Sequence, residues 1–311
     1  MAENSTIEWT DHTFNPWEGC QKVGPGCDHC YAETRNARFG GGVAVNWGPG
    51  APRRRTSVAN WAQPLKWNAQ AAREGRRFRV FCASLADVFD NQVPPVWRAD
   101  LYKLIGDTPH LDWLLLTKRI GNVGNMIPFG WQDFGMPANV WLGATVVDQA
   151  EAERDIPKLL DVPARVRFLS IEPMLGRIYI EDIPDPAGGE CLKPLAGLRW
   201  IRGRSGRCET HRLGARIDWV ICGGESGSKA RPMRAEWAQS LRDQCAAAGV
   251  PFLFKQWGEY LGEHQDGAHD HEPLELNASD DPVRVGKKAA GRLLDGRTHD
   301  EFPITSQDPT K

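Results

Sequence analysis

Cys20, Cys27 and Cys30 fall within eleven residues, in the segment Gly19-Cys20-Gln21-Lys22-Val23-Gly24-Pro25-Gly26-Cys27-Asp28-His29-Cys30-Tyr31. The spacing is C-x6-C-x2-C. Gly24, Pro25 and Gly26 demand a tight turn between the first and second thiols, so the chain can curl around one small object and point sulfur inward. A Cys-x2-Cys pair clamps soft metals. Three occupants suit this set. Zinc would take a fourth ligand, with His29 or His12 nearest in sequence. A redox dithiol would use Cys27 and Cys30 and leave Cys20 without a role. An iron–sulfur cluster on three thiolates would keep one iron open for a substrate or cofactor. The spacing favours a metal site and leaves cluster and zinc both open. Cys82, Cys222 and Cys245 sit in apolar runs and read instead as packed core thiols.

Chemistry-bearing residues also recur just after short apolar runs. Phe78–Ala83 is followed by Ser84, Asp87 and Asp90. Trp113–Thr117 is followed by Lys118 and Arg119, Val140–Thr145 by Asp148, and Val166–Ile171 by Glu172. Trp219–Gly223 leads into Gly224-Glu225-Ser226-Gly227 and Arg231, and Pro251–Phe254 into Lys255, Gln256 and Trp257. Ligands of parallel α/β folds gather at the carboxyl ends of strands. Ser84, Asp87, Lys118, Glu172, Glu225 and Lys255 are therefore candidate contacts to the amine, carboxylate or ribose of a small zwitterionic ligand. For any one of them a salt bridge or helix cap is the plain alternative.

The elements that must position these groups are legible in outline. The apolar runs have the character of strands buried on both faces, as in parallel sheets. Helical spacing is expected over Pro95–Ile105, over Asp148–Leu160 with Asp148 as N-cap, and over Ala235–Ala248 with Gly249 as its stop. With the N-terminal segment as a further strand, six or seven strands alternate with helices. That predicts an α/β protein: a partial or complete (β/α) barrel with a small insertion. The barrel domain is expected over 1–260, with an inserted loop or subdomain about 181–215. A C-terminal loop and short helix, the latter over Lys287–Asp295, occupy 261–311. The insertion holds Cys191, Cys208 and His211, which suit a small zinc knuckle, a second cluster site or an ordinary loop. It also carries Arg199, Arg202, Arg204, Arg207 and Arg212.

Composition narrows the function classes. The formal net charge of −2 gives no global field for nucleic acid. The first residues lack a basic and apolar leader, and no stretch approaches a membrane span, which predicts a soluble, cytoplasmic protein without membrane partners. Among 13 tryptophans, most are expected to anchor cores. Only Arg53–Trp67, with Arg53, Arg54 and Arg55, combines basic and aromatic residues as a base-stacking surface would.

The stretches TIEWTDHTFNPWEGC…GCDHCYAE, LLLTKR, FLSIEPMLG, WVICGGESG…ARPM, PFLFKQWGEY and KKAAGRLLDGR together resemble a phage-associated three-Cys-motif family, over roughly Thr6 to Pro303. That family is related to radical S-adenosylmethionine (SAM) enzymes and spore photoproduct lyase-like proteins. The resemblance implies a barrel of the radical SAM type, with Cys20, Cys27 and Cys30 on a [4Fe–4S] cluster and SAM chelating the open iron. It implies reductive cleavage of SAM to a 5′-deoxyadenosyl radical that abstracts hydrogen, an electron donor such as a flavodoxin or ferredoxin, and a substrate in the nucleic-acid or nucleotide class. The usual radical SAM spacing is C-x3-C-x2-C, and the first interval here is longer. The alternative is a zinc-binding, non-catalytic, nucleic-acid-binding phage protein, for which Arg53–Arg55 would be the clearest basic patch.

Overall fold

Long apolar runs in this chain become the strands of one parallel sheet. The computed structural model describes residues 5–184, 190–202, 208–267 and 281–304, without side chains at 190, 201–202 and 208–212. The strands are β1 (His12–Thr13), β2 (Phe78–Cys82), β3 (Leu111–Thr117), β4 (Val140–Thr145), β5 (Val166–Ile171), β6 (Trp219–Gly223) and β7 (Phe252–Gln256). Their order across the seven-stranded sheet is their order in the chain. Registered pairs are parallel, as in Val80 with Trp113 and Leu114 with Trp141. A doubly wound sheet reverses its order at a switch point, whereas a (β/α) barrel winds sequentially. The observed order is compatible with a partial barrel.

The chain divides into two compact units, one holding the described part of Met1–Ala144 with Val162–Val166, the other Thr145–Asp161 with Arg167–Pro303. In the first unit, α1 (Tyr31–Phe39), α2 (Gln63–Glu74) and α3 (Pro95–Gly106) accompany the first strands. Helix α2 buries Trp67 and Ala71 one turn apart and stops at Gly75, whose φ of 64° suits a residue without Cβ. Helix α3 starts with proline at its first turn and buries Leu101, Leu104 and Ile105 on one face. Trp67, Trp113, Phe78 and Phe14 are buried almost completely, each contributing roughly 1.5–3 kcal/mol by removal from water.

In the second unit, α4 (Gln149–Asp161) begins with a reciprocal cap. The Asp148 carboxylate accepts from Glu151 N at 2.8 Å, and the Glu151 carboxylate accepts from Val147 N at 3.2 Å. Helix α5 (Ala235–Ala248) ends at left-handed Gly249. The insertion is a four-stranded antiparallel sheet of Ile183–Pro184, Glu190–Lys193, Leu198–Arg202 and Cys208–Leu213. Tyr260–Leu261 pairs with Val283–Arg284, and the following helix covers only Lys287–Ala290. Gly291, at φ 66°, ends that helix well short of Asp295, where the sequence had suggested a longer one. Helices α1 and α2 have no counterpart in the sequence expectations. Among the described residues no helix is long and apolar enough to cross a membrane.

Candidate metal–thiolate centre

The thiol-bearing loop leaves β1 and runs beside the chain leaving β2, so it lies beyond the carboxyl end of these parallel strands. Asn15 joins the two chains, accepting from Leu85 N at 2.7 Å and donating to Ser84 Oγ at 3.0 Å. Gly19 N then donates to Leu85 O at 3.1 Å, and Cys20 O accepts from Gly48 N at 2.9 Å. Gly19 is required here. Its φ is +112°, and a Cβ would stand 2.5 Å from Asn46 O and 2.9 Å from Arg53 Cδ. Cys27 closes a single turn at Pro25–Cys27, and Cys30 is the N-cap of α1. Tyr31 Oη reaches back to Ser84 O at 2.5 Å.

Two consecutive cations after β3 attend the thiols. Arg119 Nη1 donates to Cys20 Sγ at 3.4 Å, and its Nη2 donates to Gln21 O at 2.8 Å. Burial pushes the Cys20 thiol up to about 11, with Arg119 opposing that rise. Burial also raises Cys30, opposed by backbone N–H groups of Glu33 and Ala32 and by the charge of Lys118. Arg119 is fixed by Asp87 at 3.1 Å. The Asp87 carboxylate further accepts from Thr117 Oγ1 (2.8 Å), Lys118 N (3.0 Å) and Phe89 N (2.9 Å). Asp87 is thus committed to shaping this corner. Its own exposure is 5%, so it acts through Arg119.

The three thiols are soft donors of the type a metal takes, while their surroundings raise both Cys20 and Cys30. They are not drawn into a finished ligand set: among the described residues no group of three or more His, Cys, Asp and Glu side chains is arranged to hold a metal ion. Cys82, Cys222 and Cys245 are buried core thiols, all raised by burial. Cys191 is partly exposed on the insertion. The side chains of Cys208, His211, Arg202 and Arg212, and all of Arg204 and Arg207, lie outside the described residues.

The second unit carries its own strand-end groups. Lys255 Nζ meets Glu172 Oε1 at 2.8 Å, and Ser170 Oγ lies 3.3 Å from Glu172 Oε2. Gly223 makes room for this pair, since a Cβ there would approach Glu172 Oε1 to 2.9 Å. Arg231 grips Glu225 through Nε (2.8 Å) and Nη2 (2.7 Å), which occupies both carboxylate oxygens. Gln256 donates to Ser226 Oγ at 3.0 Å. Glu172 and Lys255 stay partly exposed, whereas Glu225 is buried.

In the basic stretch Arg53–Arg55 each arginine has a carboxylate partner, but only Arg53 is buried, Arg54 being exposed and Arg55 partly so. Arg53 is wholly buried against Asp90 at 2.7 Å, Arg54 pairs with Glu18 at 2.5 Å, and Arg55 pairs with Asp100 at 2.7 Å. Arg55 also lies 4.3 Å from the Trp61 ring centroid, so that ring already has a cation on one face. Trp9, Trp17 and Trp67 are core residues.

Sequence reasoning placed Arg119 at a strand end without seeing its contact with Cys20, and it missed Asn15 and Tyr31. The signal for Asn15 was available, since it follows the first strand as the other site residues follow theirs. A family model described as "Protein of unknown function (DUF5131)" matches residues 4–303. No curated protein and no solved structure matches the chain.

Proposed function

We propose that this chain, which belongs to the DUF5131 family, is an iron–sulfur enzyme of the radical SAM type with Cys20, Cys27 and Cys30 as cluster thiolates. The observation that carries this reading is the N–H that Arg119 donates to Cys20 Sγ beyond the carboxyl ends of parallel strands. Buried structural thiols need no cations, whereas an anionic thiolate–metal centre is stabilised by them. When bound, a [4Fe–4S] cluster would supply the electron that cleaves SAM to a 5′-deoxyadenosyl radical for hydrogen abstraction.

The chain's own groups divide into two kinds. Asp87 and Glu225 hold arginines and keep the strand ends rigid. Ser84 and Lys118 in the first unit, and separately Glu172 and Lys255 in the second, are partly exposed and are candidate contacts for SAM or substrate. The Glu172–Lys255 pair offers an acceptor for an amine and a donor for a carboxylate or phosphate, in a position that Gly223 keeps open. For the alternative nucleic-acid module reading, Arg54 and Arg55 are the accessible arginines of the basic stretch, since Arg53 is buried against Asp90.

The test is anaerobic purification and reconstitution with iron and sulfide, followed by metal analysis and electron paramagnetic resonance with and without SAM. The expected result is a brown protein with roughly four irons per chain, a spectrum altered by SAM, and 5′-deoxyadenosine after reduction. A colourless chain that retains a single zinc and cleaves no SAM overturns the proposal.

A further inference from the structure

The loop after β6 and the strand Val283–Arg284 form one exposed basic surface in the second unit. Arg284 donates to Ser228 O at 3.0 Å and to Gly227 O at 3.1 Å, which ties the two segments together. Glu259 ties them again. Its carboxylate accepts from Gly227 N at 2.9 Å, and its carbonyl accepts from Val285 N at 3.1 Å and Gly286 N at 3.0 Å. Lys229 follows directly on the first segment, Lys287 and Lys288 follow the second, and all three lysines are exposed. Among the described residues none of these lysines has a carboxylate partner. The carboxylates nearby are already engaged: Glu259 lies 3.8 Å from Arg284, and Asp281 pairs with Arg234 at 3.2 Å. Tyr260 is partly exposed, with the Arg284 guanidinium 5.6 Å from its ring centroid.

We propose that Lys229, Arg284, Lys287, Lys288 and Tyr260 form a binding surface for a single-stranded nucleic acid. Three considerations select this partner. The cations are spread over two segments and open to water, which suits an extended polyanion, whereas a lone phosphate is held by donors that converge on one point. The Tyr260–Arg284 pair offers a planar platform for a base, which an acidic peptide does not use. Neither segment exposes a large apolar side chain, which a membrane-seated surface would insert. Each lysine that meets a phosphate releases condensed counterions, so the affinity is salt-dependent and carries no sequence preference. The loop leaves the carboxyl end of β6, the end of the parallel strands that also carries Glu172 and Lys255. The proposal needs no metal at the thiol loop.

The test uses the full chain without added iron or sulfide, so the cluster reading and this proposal fail separately. The probe is a fluorescein-labelled single-stranded DNA of mixed sequence, about 20 nucleotides long, followed by anisotropy from about 50 to 200 mM salt. Wild type is expected to bind with a Kd in the micromolar range at the lowest salt. Lys229→Gln/Lys287→Gln/Lys288→Gln, checked for fold by thermal melting, is expected to bind about tenfold more weakly or worse, with a log–log salt slope smaller by about 2. Lys229→Arg/Lys287→Arg/Lys288→Arg keeps the charges and is expected to bind as wild type does. Tyr260→Leu is expected to lose about fivefold or more at an unchanged slope, since it removes stacking and no charge. No binding by wild type at about 50 mM salt overturns the proposal, as does a folded glutamine variant with wild-type affinity and slope. Unchanged affinity of Tyr260→Leu overturns the choice of a nucleic acid over an acidic polymer. Loss of binding in Arg54→Gln/Arg55→Gln, with none in the glutamine variant, puts the contact on the first unit and overturns the proposal too. So does binding to phosphatidylcholine vesicles holding about one-third phosphatidylserine without binding to the oligonucleotide.

Discussion

Replacing Arg53 by methionine should destabilise the first unit by about 4–6 kcal/mol. Arg53 and Asp90 are both 0% exposed at the side chain and 2.7 Å apart. Arg53 Nη1 also donates to Asn46 O at 3.1 Å and Ala51 O at 2.8 Å, so one residue ties the loop to the core. Methionine keeps much of the volume but strands the Asp90 carboxylate, which retains the Gln92 N–H at 3.1 Å. Breaking a buried pair from one side costs about 3–5 kcal/mol. The loop carbonyls recover water as the loop loosens, so their loss adds only about 1 kcal/mol. The double variant Arg53→Met/Asp90→Asn removes the stranded charge and should cost about 1–2 kcal/mol, roughly 3 kcal/mol less than the single variant. The assay is urea denaturation followed by circular dichroism, with the reactivity of Cys20 toward a thiol reagent as a local readout. Arg53 packs directly beneath Gly19, so the single variant should expose Cys20. A single variant within about 1 kcal/mol of wild type, or a double variant no better than the single, would refute this reasoning. The rival view of Arg53 as a phosphate contact expects the reverse, namely lost salt-dependent binding at unchanged stability.

Other outcomes follow from the same geometry. Gly224→Ala places a Cβ 1.8 Å from Trp257 O and should cost about 3 kcal/mol or more in chemical denaturation; near-native stability would contradict the packing. Gly106→Ala, with nothing within 4 Å of the new Cβ and no left-handed backbone, should instead stabilise by about 0.4–1 kcal/mol, and a loss would contradict it. Burial, and then the charge of Arg297, lowers the His299 pKa below its ordinary value of 6.5. Its contribution to stability is therefore present above pH 6.5 and is lost as pH falls through the depressed folded-state value, because the unfolded chain binds the proton more readily. His299→Gln should flatten the acid side of a stability–pH curve measured by urea titration, and an unchanged slope would count against burial as the cause. Cys82, Cys222 and Cys245 should resist iodoacetamide at pH 8 until denaturant is added, as read by peptide mass spectrometry; native labelling of any of them would contradict their burial.

Local pattern was enough wherever one physical pressure acted on a whole run of residues. Val140–Thr145, Val166–Ile171 and Trp219–Gly223 were legible to the residue because a strand buried on both faces must be apolar throughout. The Asp148 cap and the Gly249 stop were legible because both satisfy helix ends within a few residues. Helix α1 was not, since it buries only Ala32 and Asn36 and so carries little amphipathic signal.

The thiol spacing and the polar residues after each strand were properties of the chain itself, fixed by neighbours a few positions away. What each charge does was decided by partners far along the sequence. Arg53 meets Asp90 across 37 positions, and Arg119 reaches Cys20 across 99. A one-dimensional pattern treats an arginine as solvated by default, because only folding brings the carboxylate or thiol that makes its burial affordable. The strand order that sets the thiol loop beside the end of β2 supplies that juxtaposition, and no local propensity encodes it.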